Sequence, residues 1–261
     1  MSGENVRSRR RVAATATVGV AAAGVAVVGW ALVVDVAGVD AADRWALGAG
    51  AVLVYEVGFL AYHLDAERAG VVLAPPNLLT LARGGLYAAT AGFLFVPPST
   101  AALRWAPAAC YGVGAALDFV DGSLARRTGR TTELGAKLDL AFDTLGFLVA
   151  PLVGVAWGRL PAAYLSLSAA RYVYRAALGW RKRRGRPVEE LPASRIRRPL
   201  AALQMGFITV ALAPVLPVSV VHPLAVVAVM PSLATFVRDY LAVTGRLGSR
   251  ESGDGDGGSM K

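Results

Sequence analysis

The chain is poor in the residues that build disulfide frameworks and soft-metal centres. It has one cysteine, Cys110, and two histidines, His63 and His222, among 261 residues. One cysteine excludes an intramolecular disulfide. Zinc sites are built mainly from sulfur and imidazole donors, so the isolation of these three residues argues against zinc. Lysine is equally scarce, confined to Lys137, Lys182 and Lys261, and charged residues make up only 17% of the chain. No internal repeat is visible, which leaves no basis for a solenoid.

Apolar residues fill the gap. They account for 55% of the chain, the mean hydropathy is +0.50, and alanine, valine, leucine and glycine dominate. This is a membrane composition. The formal charge of +9 comes almost wholly from arginine. In a soluble chain that excess would suggest nucleic acid; beside long apolar runs it reads as the positive-inside bias, and no nucleic-acid partner is expected.

Windows long enough to cross a bilayer fall at 12–34, 44–64, 77–97, 101–121, 134–158, 160–180, 198–216 and 218–243. Turn chemistry separates them at Pro75-Pro76, Pro97-Pro98, Gly158 to Pro161 and Pro214 to Pro217. The first window follows Arg7, Arg9, Arg10 and Arg11 as a signal peptide would, but its apolar run is too long for an ordinary cleaved signal, so a retained span is expected. Placing those arginines in the cytoplasm puts Arg126, Arg127, Arg130 and the basic loop 181–186 on the same side, with Arg44, Arg104 and Arg159 opposite. Arginine-over-lysine usage points to a GC-rich prokaryote, hence a prokaryotic cell membrane.

The most informative stretch runs from Asp118 to Asp143. Asp118, Asp121, Asp139 and Asp143 sit inside or at the rims of two apolar segments, where charge is costly and marks function. On helices, Asp118 and Asp121 are spaced i, i+3 and Asp139 and Asp143 i, i+4, so each pair shares a face. If the loop between the segments turns the second helix back, all four converge. Their mutual repulsion then calls for one or two divalent cations, and oxygen-only donors favour Mg²⁺, Mn²⁺ or Ca²⁺. Gly122, Ala125 and Gly135 leave space between the acids, and Arg126 offers a fork of donors suited to phosphate oxygens.

The pattern D-x2-D-G-x2-A-R-x8-G-x3-D-x3-D is met in full by Asp118, Asp121, Gly122, Ala125, Arg126, Gly135, Asp139 and Asp143. It resembles the signature of the CDP-alcohol phosphatidyltransferases. The resemblance implies an all-α polytopic membrane enzyme with a six-helix core. It further implies transfer of a phosphatidyl-type group, diacyl or archaeal diether, from a CDP-linked lipid to an alcohol, with release of CMP. The four aspartates would ligate Mg²⁺ or Mn²⁺, two ions in all. Asp143 would also act as the base, while Gly122, Ala125, Arg126 and Gly135 hold the nucleotide. A homodimer is implied by resemblance alone.

The third window opens P-N-L-L-T-L-A-R, which is similar to the start of the core in the glycerol-phosphate and cardiolipin-forming branches of that family, the phosphatidylglycerophosphate synthase-like branch being nearest. Asn77 and Thr80 lie along one helical side, with a nucleotide-binding role expected, and Arg83 follows less closely. Arg171 and Arg175, spaced i, i+4 within an apolar window, are expected with Arg83 and basic residues of the 181–198 loop to receive the phosphate of the acceptor. Glycerol 3-phosphate is the first choice; inositol phosphate, serine and a lipid headgroup stay open. The basic stretch 194–199 matches the glycerol-phosphate branch only loosely, and Glu56 within the second window reads as a snorkelling or helix-paired acid.

The expected organisation is a basic N-terminus at 1–11, a two-helix transmembrane extension at 12–75, the six-helix catalytic core at 76–246 and a disordered tail at 247–261. A rival class is a cation transporter, because buried aspartates in a helical bundle also mark ion pathways.

Overall fold

A computed structural model describes residues 3–64, 72, 75–128, 133–189, 191 and 194–246, with the side chains of 3–7, 75–76 and 121–128 left aside. Among the described residues the chain forms eight α-helices and no strand: α1 (Gly3–Ala37), α2 (Val39–His63), α3 (Pro75–Gly92), α4 (Ala101–Thr128), α5 (Glu133–Ala156), α6 (Leu165–Arg183), α7 (Arg197–Leu212) and α8 (Val218–Val243). Each falls on one of the eight windows, because the Pro- and Gly-rich breaks interrupt the helical ladder where the apolar runs end. The expected tail at 247–261 lies outside the described residues.

Five of these helices, α1, α2, α3, α5 and α8, are long and apolar enough to cross a bilayer. The other three depart from eight equally apolar spans for a physical reason. Helix α4 carries Asp118 and Asp121 together with Arg104, Arg126 and Arg127, α6 carries five basic residues, and α7 has only 16 residues. The protein is an all-α polytopic membrane protein.

Helix α3 is central. It packs against α2 on one side and against α4 and α5 on the other, while α4 meets α7, and α8 closes on α6 and α7. Trp45 of α2 stitches α1 and α2 to α3. Its indole fills the space left by Gly29 of α1 and Gly92 of α3, and its Nε1 donates to the Ala89 carbonyl at 3.1 Å. A β-carbon at Gly48 would stand 2.5 Å from the Ala91 carbonyl oxygen, so only glycine allows α2 and α3 to approach this closely. Trp45 belongs to the same buried cluster as Phe147, Ile208 and Val229, so α2 shares one interior with α5, α7 and α8.

The end of the bundle away from the acids is tied by the loop after α5. Trp157 Nε1 donates to the carbonyls of Phe93 and Val96. Arg159, counted above as a topological charge, donates to the carbonyls of Ala211, Ala213 and Leu216. It thereby caps the end of α7, where orphan carbonyls favour a cation.

Candidate active site

Helix packing around one ring builds the site. Tyr87 of α3 is buried, and a β-carbon at Gly114 of α4 or Gly146 of α5 would come within 2.7 or 2.8 Å of its ring. The two glycines therefore let both helices close on α3. Asp118 lies one turn beyond Gly114, Asp143 just before Gly146, and Arg83 one turn before Tyr87, so the same packing brings all three together.

Arg83 is 1% exposed and forks into the cluster. Its Nη1 donates to Asp118 Oδ1, and its Nη2 to Asp139 Oδ1 at 2.6 Å and to Asp143 Oδ1 at 2.8 Å. The three carboxylates keep 31%, 42% and 25% of their side-chain surface exposed, respectively. Asp118 precedes the end of α4 by as many residues as Asp143 follows the start of α5, so their meeting requires α5 to fold back along α4, as expected. Ligand oxygens of Asp118, Asp139 and Asp143 all lie within 4.8 Å of one another.

This donor set suits a hard cation. All three ligands are carboxylate oxygens, the type that Mg²⁺ and Mn²⁺ prefer. Three carboxylates against one guanidinium leave a formal excess of two negative charges, which one divalent ion balances. Asp121, Gly122, Ala125 and Arg126 occupy the last turns of α4, and their side chains lie outside the described residues. Gly135 is in the first turn of α5. Asn77 and Thr80 are buried along the first turns of α3, on the approach to Arg83.

Arg171 and Arg175 border a different space. A cavity of about 410 Å³ is lined by Thr144, the residue after Asp143, and is bounded by α5, α6, α7 and α8. Arg171 stacks with its Cζ 4.2 Å from the Phe147 ring centre, and Arg175 Nη1 donates to Thr144 Oγ1 at 3.2 Å. Arg197 and Arg198 join them, so four guanidinium groups face this one cavity. Its carboxylate, Asp239, is already held by Arg197 at 2.6 Å and Arg238 at 3.1 Å. Gln204 and Ser232 line it too, Gln204 fixed by the Tyr164 hydroxyl, the Ala228 carbonyl and Ser232 itself.

Arg83 therefore stands apart from the arginines it was grouped with. A guanidinium this deeply buried needs carboxylate partners, and the aspartates supply them. Of the basic residues of the 181–198 loop expected to join Arg171 and Arg175, Arg197 and Arg198 do line this cavity. Thr144 and the glycine pair at 114 and 146 carried no signal that a local motif could expose. Glu56 is neither snorkelling nor helix-paired: it is buried against Gly84 and Phe142, and its Oε1 has no hydrogen-bond partner among the described residues.

Comparison with family models places residues 73–237, well over half of the chain, in the CDP-alcohol phosphatidyltransferase family. The protein belongs to that family. No curated protein and no solved structure matches the chain significantly. Membership makes it a transferase that moves a phosphatidyl-type group from a CDP-alcohol to an acceptor alcohol. The cation-transport alternative loses its ground, because a guanidinium planted among the acids would obstruct an ion path.

Proposed function

We propose that the protein transfers a phosphatidyl-type group from a CDP-linked lipid to a phosphorylated polyol, glycerol 3-phosphate first among candidates, and releases CMP. The observation that carries this is the adjacency of two opposite charge environments. The Asp118–Asp139–Asp143 cluster and the four-arginine cavity meet at Asp143 and Thr144. The first suits a divalent ion and the donor's pyrophosphate; the second suits the phosphate of an acceptor.

A divalent cation, Mg²⁺ or Mn²⁺ and by family resemblance a pair, would be held by Asp118, Asp139 and Asp143 together with Asp121. It would neutralise charge on the transferred phosphorus and on the departing CMP. Arg126, Gly122, Ala125 and Gly135, with Asn77 and Thr80, form the nucleotide end. Arg83 orients the carboxylates. Arg171 and Arg175, helped by Arg197 and Arg198, hold the acceptor phosphate so that its hydroxyl faces Asp143. Asp143 takes the hydroxyl proton as the oxygen attacks the lipid-side phosphorus. The bond from that phosphorus to the bridging oxygen breaks, and CMP leaves with the electron pair.

The family match starting at residue 73 supports a catalytic core at 76–246 with 12–75 as an extension. Arginine distribution supports a cell-membrane enzyme whose site opens to the cytoplasm, where cytidine nucleotides are found. A homodimer rests on family resemblance. Purified protein with Mg²⁺, a CDP-lipid and a panel of acceptors tests the proposal: CMP release is expected to be fastest with glycerol 3-phosphate. Release with serine or another unphosphorylated acceptor alone would overturn the acceptor assignment.

A further inference from the structure

A second cavity is given no role in the transfer proposed above. It measures about 420 Å³, lies between α2, α5 and α6, and shares Leu140, Thr144 and Arg175 with the arginine-lined cavity. Tyr55 and Phe59 of α2 face Leu145 and Leu148 of α5 across it, so one wall comes from the extension. The only charged groups among the described residues that line it are Lys137 and Arg175.

The cavity is amphiphilic along its length. Lys137 and Leu148 are separated by eleven residues of one helix, roughly 16 Å at the helical rise. Lys137 stands at one end, Arg175 is held part-way along at Thr144, and beyond it Leu145 and Leu148 offer only hydrocarbon. Lys137 does pair with Glu133 at 3.0 Å, but both are well exposed and spaced i, i+4, the kind of pair that yields readily to another anion. The volume falls within the roughly 300–1,000 Å³ of ordinary ligand sites.

We propose that this slot binds an anionic phospholipid of the surrounding bilayer. Its hydrocarbon chain lies against Tyr55, Phe59, Leu145 and Leu148, and its phosphate sits between Lys137 and Arg175. A neutral, zwitterionic headgroup would bring no net charge to match the two cations. Because Arg175 borders both cavities, a phosphate bound in the slot competes with the acceptor for the same guanidinium. That consequence rests on the acceptor pocket proposed above; occupancy of the slot does not.

The test uses the full-length protein in phosphatidylcholine nanodiscs and a phosphatidic acid with a photoactivatable chain, chosen because it has no alcohol hydroxyl and cannot act as acceptor. Labelling is expected on the segments around Tyr55–Phe59 and Leu145–Leu148, competed by plain phosphatidic acid and not by phosphatidylcholine. Lys137→Gln should weaken labelling about fivefold. Leu148→Trp, which fills the apolar end, should abolish it while CMP release in pure phosphatidylcholine is kept. Equal labelling by a photoactivatable phosphatidylcholine, indifference to Lys137→Gln, or crosslinking of Tyr55 to a second copy of the chain would overturn the slot. In a separate arm, phosphatidic acid should raise the acceptor KM of the unaltered protein and leave that of Leu148→Trp unchanged; a KM indifferent to the lipid overturns the sharing of Arg175. Failure of CMP release with every acceptor would count against the transfer reading and leave the labelling result standing.

Discussion

Arg83 and Asp143, sixty residues apart in sequence, meet at 2.8 Å between Nη2 and Oδ1, and the same guanidinium holds Asp118 and Asp139. One side chain thus balances part of the charge of three carboxylates on two helices. Removing it should leave the carboxylates repelling one another. Arg83→Ala should cost about 2 kcal/mol, below the roughly 3–5 kcal/mol of fully buried pairs because the aspartates are partly exposed. The check is thermal unfolding in the presence of a chelator. Added Mg²⁺ should recover much of the loss, and a variant as stable as the parent under chelation would remove the counter-charge role.

Asp143 is assigned the proton transfer. Asp143→Asn should lower turnover by about 10²–10⁴-fold while CDP-lipid binding is largely kept. Equilibrium binding of a CDP-lipid beside the rate of CMP release separates the two effects, and full turnover in the variant would end the assignment.

The carboxylate cluster should show its cation without any turnover. Mg²⁺ or Mn²⁺ is expected to raise the unfolding midpoint, since an ion that binds only the folded state stabilises it by mass action. Asp139→Asn should shrink that shift, and chelation should stop CMP release until either metal is restored. A midpoint indifferent to both metals would count against the cluster as a metal site.

Gly146 is expected to tolerate no side chain. A β-carbon there meets Tyr87 at 2.8 Å, so Gly146→Ala must push α5 from α3 or displace the ring. Overpacking of this kind costs about 1–3 kcal/mol, and it should slow CMP release as well because Asp143 rides on the same turn. Unchanged stability together with unchanged rate would show that α5 has slack at this point.

Glu56 offers the opposite case. It places a carboxyl against Gly84 and Phe142 in an apolar interior, with Oε1 unsatisfied among the described residues. Glu56→Met should stabilise by roughly 1–3 kcal/mol and preserve activity. A lower unfolding midpoint, or loss of CMP release, would reveal work for this carboxyl that its surroundings do not suggest.

Much of this architecture was legible in the sequence, because long apolar runs broken by proline and glycine leave little choice but helices. The acids of the motif were legible too, since i, i+3 and i, i+4 spacings place them on faces before any tertiary structure exists. Asp118, Asp139 and Asp143 do converge. What local spacing could not show was which partner would reach them. Arg83 comes from another helix, 35 residues before Asp118, and its buried position depends on Gly114 and Gly146 admitting Tyr87. Basic residues of the 181–198 loop were expected near Arg171 and Arg175, but spacing could not single out Arg197 and Arg198, which reach the cavity because α6 and α7 both pack against α5 and α8. Glu56 was misjudged because hydropathy alone says nothing of which helix face meets α3.

The indole of Trp45, clasped between Gly29 and Gly92, has a bearing on how this enzyme can be cut or grafted. Trimming the chain to the catalytic helices would strip the cover from Gly92, leave the Ala89 carbonyl without its donor and remove one wall of the slot beside Arg175. The two leading helices thus cover surface that α3 and α5 would otherwise expose, and a version lacking them is expected to be less stable than the eight-helix chain.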